Sequence, residues 1–272
     1  MAMTLAMVLS LLPVSALAVE EDTPPETEGE NTATLGSEGV VCTDTNCDHV
    51  ASIGTIHYDS LADALNNATD KDTVLVLKEA EIGEAIEISA GNIELNLNGN
   101  KVSYVPSKSN DNLGIIDITG TANITITGEG SFTFTDAYYN SNMNEYGYIF
   151  RLFDSAKLTV ENGNYHAVLT CIQAGDNSEV EIKGGYFSTE IEWGGSRWHL
   201  NLIDNSNAKF IVTGGTFENY DPSNSKTENP AANFVALGHH VVQEGNTYSV
   251  EKIDEGTLVI KPETTTGDDG DK

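Results

Sequence analysis

The sequence predicts an all-β fold, a right-handed parallel β-helix (a solenoid) of about six irregular turns with a short N-terminal capping helix. Short runs from residue 73 onward alternate apolar and polar residues and end at Gly, Asn or Asp, which is typical of strands joined by tight turns. The unit of strand, Gly-containing turn and apolar residue occurs five times. A single unit cannot bury its own apolar face, so the repetition indicates stacking.

Equivalent positions of the five units should form two inward-facing ladders. The first predicted ladder contains Leu97, Ile126, Val160, Ile182 and Val212. The second contains Val102, Phe132, Tyr165, Phe187 and Phe217. The members of the first ladder are 29, 34, 22 and 30 residues apart, a spacing too irregular for a propeller or for leucine-rich repeats.

Both ends of the predicted solenoid need a cover, because unpaired strand edges promote aggregation. At the N-terminal end, Ser60 and Asp63 form a capping-box pattern that opens an amphipathic helix with Leu61, Ala64 and Leu65 on one face. The segment 241–260 is predicted to close the opposite end.

The chain is divided into four predicted segments. Residues 1–18 form an apolar run that ends in Ala-Leu-Ala and are interpreted as a signal peptide. Residues 19–48 are an acidic disordered linker with a cysteine pair, 49–261 are the β-helix, and 262–272 are a disordered tail. The mature chain is therefore expected to be secreted, or associated with the cell surface, without membrane insertion.

The charge restricts the partners. The 272 residues contain 13 Lys+Arg and 42 Asp+Glu, which gives a formal net charge of −29. Such a chain repels nucleic acid and anionic lipid, so neither is expected as a partner.

Three cysteines are too few for a disulfide framework. Cys42 and Cys47 are close enough in sequence to pair, and with His49 they form a Cys-x4-Cys-x-His cluster that could instead hold zinc. A structural zinc site uses four ligands and the sequence offers only three here, so no metal is predicted. Cys171 lies in an apolar strand and is expected in the core.

Three runs near the start of the predicted β-helix are HVASIGT at 49–55, YDSLADAL at 58–65 and DTVLVL at 72–77, and GNTYSV occurs near its end at 245–250. The first three resemble the entry module of secreted, adhesin-like β-helix proteins of gut Firmicutes, within the broad pectate-lyase-like superfamily. The fourth is similar to the closing strand of those proteins. The resemblance implies the β-helix fold. It leaves the activity open, because the superfamily includes lyases, hydrolases and non-catalytic binders.

Four insertions follow the second ladder position and should therefore lie on one face of the solenoid. They are 106–113, 136–147, 188–198 and 218–231. Aromatic rings beside Asn, Asp and Glu suit the apolar faces and hydroxyl edges of sugars. The ligand-binding residues predicted on this face are Tyr138, Tyr139, Tyr146, Trp193, Arg197, Trp198 and Tyr220. The simpler alternative is that these aromatic residues pack the loops onto the solenoid.

No catalytic constellation is evident. Candidate residues for lyase or glycosidase chemistry are Arg197, Glu190, Glu192, Asp154 and Asp176, and no lyase motif surrounds them. Asp154 and Asp176 share one repeat position, so a Ca²⁺ site or an acid pair is conceivable, although Asp is more common as a turn former. The sequence therefore predicts a non-catalytic module without a cofactor that binds glycan or another host or bacterial surface ligand. A polysaccharide-active enzyme and a structural stalk are the alternatives.

Overall fold

A computed structural model describes residues 38–42, 47–105, 114–134 and 147–254 of the chain. The predicted signal peptide (1–18), the predicted tail (262–272) and most of the predicted linker (19–48) lie outside the described residues. Three of the predicted ligand-binding residues also lie outside them, namely Tyr138, Tyr139 and Tyr146. The described part is nearly all-β and contains a single helix.

The strands form three sheets. In spatial order, the first sheet contains β1 (Val40–Val41), β3 (Ile56–Tyr58), β2 (Ala51–Ile53), β4 (Thr73–Val76), β7 (Asn92–Asn96), β10 (Asn123–Thr127), β13 (Lys157–Val160), β16 (Glu179–Ile182) and β19 (Lys209–Val212). The second contains β21 (His239–Glu244), β22 (Thr247–Lys252), β20 (Thr216–Glu218), β17 (Tyr186–Thr189), β14 (Asn164–Ala167), β11 (Ser131–Phe134), β8 (Lys101–Tyr104) and β5 (Ala80–Ile82). The third contains β18 (Leu200–Leu202), β15 (Thr170–Ala174), β12 (Tyr148–Leu152), β9 (Gly114–Ile118) and β6 (Ile86–Ile88).

From β4 to β20 the chain enters the three sheets in rotation. After β4, β5 and β6, it returns to the first sheet as β7, which pairs parallel with β4. Each later return also adds a parallel strand beside the strand of the preceding circuit. This strand order is compatible with a β-solenoid, in which each circuit stacks on the one before it.

Antiparallel strands occur at the two ends of this arrangement. β2 pairs antiparallel with β4 and with β3, and β3 pairs antiparallel with β1. The short strand β1 lies within the range predicted as linker. At the other end, β22 pairs antiparallel with both β20 and β21. β22 and most of β21 belong to the segment 241–260 that was predicted to close the fold, of which residues 255–260 lie outside the described residues.

Helix α1 spans Leu61–Asn67. The Ser60 side chain accepts a hydrogen bond from the Asp63 backbone N–H at 3.0 Å, as the capping pattern predicts. Leu61, Ala64 and Leu65 are buried. The buried face of the helix contacts strands β2 to β6.

The second predicted ladder is confirmed. Backbone pairing aligns Val102, Phe132, Tyr165, Phe187 and Phe217, in that order, and all five side chains are fully buried. The Phe187 ring stacks on Tyr165 and on Phe217, with ring centroids 4.9 Å apart in both pairs. Stacking that continues from one circuit to the next fixes the register of the second sheet.

The first predicted ladder is correct except for Leu97. Ile126 pairs with Leu95, and the pairing continues from Ile126 through Val160 and Ile182 to Val212. Leu97 lies beyond the end of β7 and is buried in the turn that follows. When the repeats are aligned on the first glycine of each turn, Leu97 falls opposite Ile126, two residues away from the true partner Leu95. The two leucines point to the same face of the strand, so the apolar pattern alone does not distinguish them.

The third sheet contains a polar pair at one of its inner circuits. Arg151 is paired with Asp117 of the neighbouring strand, and its Nε and Nη2 donate to the two carboxylate oxygens at 2.8 and 2.5 Å. The two side chains are only 15% and 20% exposed. Arg151 is therefore occupied by a structural ion pair.

Candidate functional site

The described insertions leave the three sheets at one position of the repeat. Residues 190–199 connect β17 of the second sheet to β18 of the third, and residues 219–238 follow β20 of the second sheet. The strands that flank 106–113 and 135–146 also belong to the second and third sheets. The predicted common position of the insertions is therefore confirmed by the described strands.

A tight hairpin turn presents Trp193. The Trp193 N–H donates to the Ser196 carbonyl oxygen at 2.9 Å, and the Ser196 N–H donates back at 3.1 Å. Gly194 and Gly195 between them have φ angles of 60° and 80°, as a two-residue turn with two left-handed positions requires. Trp193 is 45% exposed, and Trp198 is half-buried and donates from Nε1 to the Trp193 carbonyl oxygen at 2.9 Å.

Arg197 holds this loop against the second sheet. Its Nη1 donates to the Thr189 carbonyl oxygen at 2.5 Å, and its Nε lies 3.4 Å from a Glu192 carboxylate oxygen. The side chain is 20% exposed. Arg197 therefore positions the loop and also presents part of its charge at the surface.

The loop forms one wall of a polar cleft of about 200 Å³. Residues of both insertions line it, together with one residue of the C-terminal hairpin. The lining residues are Glu192, Gly195, Ser196, Arg197, Asn219, Tyr220, Asp221, Asn224, Lys226 and Tyr248. Two carboxylates and two cations therefore share the cleft with amide and hydroxyl groups.

Tyr220, a predicted ligand-binding residue, lines the cleft, but nearly all of its ring is buried beneath the surface. Tyr220 is 4% exposed, it stacks on His199 with ring centroids 5.0 Å apart, and its hydroxyl donates to Ser225 Oγ at 2.9 Å. Burial raises the pKa of Tyr220. Burial, and secondarily the positive charge of Arg197, lowers the pKa of His199 to about 3, so this imidazole is neutral at neutral pH.

The remaining candidate acids take part in local contacts. Asp176 accepts a hydrogen bond from the Asp154 N–H at 2.9 Å, and Asp154 accepts one from the Gly120 N–H at the same distance. Both aspartates have positive φ angles, so they act as turn formers in successive circuits. Glu190 lies 3.3 Å from His166 Nε2. Of the candidate acids, Glu192 is the one whose carboxylate lies beside Arg197, at 3.4 Å from its Nε.

A second group of functional side chains lies at the N-terminal end. Cys42, Cys47, His49 and His57 place one ligand atom each within 4.8 Å of all the others. The first three residues form the Cys-x4-Cys-x-His cluster seen in the sequence, and His57 is added by the structure. The antiparallel pairing of β1 with β3 places His57 opposite Val40. The His49 imidazole beside the thiol lowers the pKa of Cys47 to about 6, and His57 Nδ1 lies 2.9 Å from Cys47 Sγ. Neither cysteine is part of a disulfide in this structure.

Comparison with known proteins gives no match to a family model, to a curated protein or to a solved structure. In the described part of the chain, no helix is both long and apolar enough to cross a membrane.

Proposed function

We propose that the three parallel sheets form a right-handed β-helix and that α1 covers its first circuit. The rotation of the chain through the sheets supports a solenoid, and parallel crossover connections are right-handed in nearly all proteins. The apolar face of α1 lies against the first strands of the sheets. A helix at this place protects strand edges that would otherwise be open to pairing.

The function that the geometry supports best is non-catalytic binding of a glycan in the cleft between residues 190–199 and 219–226. The observation that carries this proposal is the exposed Trp193 on the turn whose Gly195 and Ser196 line the cleft. An indole face packs on the apolar face of a sugar ring, and the cleft supplies amide, carboxylate and cationic partners for hydroxyl groups.

The charge of the cleft favours a neutral glycan. Arg197 and Lys226 balance Glu192 and Asp221 in its lining, whereas the whole chain carries −29. A polyanionic ligand would be repelled by the protein and would gain no net attraction in the cleft. Neutral sugars avoid this electrostatic cost.

A polysaccharide lyase or glycoside hydrolase is the second candidate, because Glu192, Asp221 and Arg197 line the same cleft. Two carboxylates and a cation are the groups that such chemistry uses. Arg197 is held by Thr189 and Glu192, which favours a positioning role for it over proton transfer.

One experiment separates these functions. The chain from Val19 is incubated with neutral and acidic plant and mucin polysaccharides in the presence of Ca²⁺, and co-sedimentation, reducing ends and unsaturated products are followed. We expect retention on a neutral polysaccharide without products, and a loss of about tenfold or more in affinity for Trp193→Ala, which corresponds to the stacking of one ring. The matched control is Leu237→Ala, because Leu237 is a fully exposed apolar side chain that belongs neither to the Trp193 turn nor to the cleft lining.

Product formation would contradict the binding proposal and support the enzyme. Equal retention of the wild type and Trp193→Ala would refute stacking of a sugar on Trp193, the contact that carries the proposal. No retention on any polysaccharide would favour the structural stalk. We also propose that the chain is secreted and displayed at or released from a bacterial surface. Recovery of a protein that begins at Val19 from the culture medium would support this location.

A further inference from the structure

We propose that Cys42, Cys47, His49 and His57 bind one zinc ion as a closed structural site of two cysteines and two histidines. The site is independent of the glycan cleft, which lies on loops that follow the last strands of the second sheet. The four residues form the pattern Cys-x4-Cys-x-His-x7-His.

Strand pairing brings the four ligands together. β1 ends one residue before Cys42, and the Cys42 N–H donates to the Thr55 carbonyl oxygen at 3.1 Å. His57 is the central residue of β3 and pairs with Val40. On the other side, the Val50 N–H donates to the Tyr58 carbonyl oxygen at 2.8 Å and so places His49 beside the same hairpin. The ligands are therefore mounted on one antiparallel framework.

The donor set and its spacing fit tetrahedral zinc. Zn–S bonds of about 2.3 Å and Zn–N bonds of about 2.0–2.1 Å place tetrahedral ligand atoms about 3.3–3.8 Å apart. The four atoms, all within 4.8 Å of one another, need to approach by only about 1 Å to reach this geometry. Two thiolates would neutralise the dication, so the completed site carries no net charge.

The surroundings of His49 provide independent support. Its Nδ1 is buried and has no hydrogen-bond partner, whereas its Nε2 lies 3.8 Å from an Asp59 carboxylate oxygen. Coordination by Nδ1 would satisfy the buried atom and leave the other ring nitrogen facing the carboxylate, an arrangement that is common for histidine ligands. Leu75 and Leu77 line the same hollow and partly shield it from water.

Four protein ligands leave no open coordination position, which indicates a structural role for the metal. The bound zinc would cross-link the segment around Cys42 and Cys47 to the β2–β3 hairpin. A disulfide between the two cysteines is the competing state. It would remove both thiolate ligands and leave only the two histidines, too few to hold the zinc ion.

The test uses the full chain, purified, reduced and freed of metal, and then dialysed against Zn²⁺ or Co²⁺. We expect one bound Zn²⁺ per chain and, with Co²⁺, intense visible absorption of a tetrahedral site with a sulfur-to-metal charge-transfer band. Cys47→Ser and His57→Gln should abolish both signals and keep the β-type circular dichroism. The matched controls are Cys171→Ala and His166→Gln, because both residues lie outside the cluster.

Three results would overturn the proposal. These are reduced wild-type protein without stoichiometric metal, octahedral Co²⁺ spectra, and metal content that stays unchanged in Cys47→Ser and His57→Gln. Thiol titration before reduction shows directly whether Cys42 and Cys47 form a disulfide. A protein that is disulfide-bonded as purified and binds no zinc after reduction is a case of the first result.

Discussion

Phe187 provides the most direct test of the aromatic ladder. It is fully buried, and it is stacked on Tyr165 on one side and on Phe217 on the other, with interplanar angles of 15° and 11°. Phe187→Leu keeps most of the buried apolar volume and removes both stacks. Each stack contributes about 0.5–1.5 kcal/mol beyond area burial, so the free energy of unfolding should fall by about 1–3 kcal/mol.

The assay is equilibrium unfolding in guanidinium chloride, followed by far-UV circular dichroism and by tryptophan fluorescence. Coincidence of the two transitions is required before a free energy is assigned, because stacked repeats can unfold in stages. The control is Ile182→Val in the first sheet, which removes one buried methyl group without any ring contact and should cost about 0.5–1.5 kcal/mol.

A double-mutant cycle isolates the stacking energy itself. Phe187→Leu and Phe217→Leu, alone and together, should give a coupling energy of about 0.5–1.5 kcal/mol between the two rings. If the two losses add to within about 0.3 kcal/mol, the rings are not energetically coupled and the reasoning is refuted.

Three further predictions concern the polar and turn positions. Arg151→Met should reduce stability by about 3 kcal/mol, because it leaves the half-buried Asp117 carboxylate without its partner, and the double variant with Asp117→Leu should recover most of the loss in the same unfolding assay. The pKa of His199 is lowered to about 3 in the folded protein, against 6.5 for the free side chain. The unfolded chain therefore binds more protons than the folded chain as the pH falls through 6.5, which destabilises the fold. Between pH 7 and pH 5, the free energy of unfolding of the wild type should fall by about 2 kcal/mol more than that of His199→Phe, as measured by urea unfolding. Gly214→Ala should lower the free energy of unfolding by about 1–3 kcal/mol, because the added methyl group would clash with the Lys183 carbonyl oxygen of the preceding circuit. In the control Gly194→Ala the added methyl group meets nothing within 4 Å, so the loss should be only about 1 kcal/mol, from backbone strain at a positive φ angle.

The second ladder was predictable because its positions follow a turn in every repeat. An aromatic or branched residue after each turn is a local signal, and it fixes the position without knowledge of the pairing partner. Leu97 was placed wrongly because two leucines of β7 share one face, so only the pairing of Ile126 with Leu95 distinguishes them.

The third sheet was not predicted as a ladder, for a physical reason. Its strands β9, β12 and β15 each bury three consecutive residues before any alternation begins. A strand buried on both faces at its start has no period of two, so periodicity cannot identify it.

His57 was missed for a different reason. Its eight-residue separation from His49 matches no local ligand spacing, and only the antiparallel pairing of β1 with β3 places it beside Cys42 and Cys47. The only sequence feature that pointed to His57 was its position in a strand of alternating polar and apolar residues, which does not indicate metal binding. The cluster is completed by strand pairing between distant residues, which a short motif does not encode.

The scarcity of cations determines how the cleft can be tested. The chain has only two arginines. Arg151 forms an ion pair with Asp117, and Arg197 donates a hydrogen bond to the Thr189 carbonyl oxygen while it also lines the cleft. A substitution of Arg197 would therefore alter the loop and the cleft together, and a loss of binding would not show which one mattered. Trp193 is free of this ambiguity, because its neighbouring glycines and its backbone pairing with Ser196 define the turn while its side chain remains exposed. Binding lost in Trp193→Ala with unchanged unfolding would therefore locate the ligand at the turn whose Gly195 and Ser196 line the cleft.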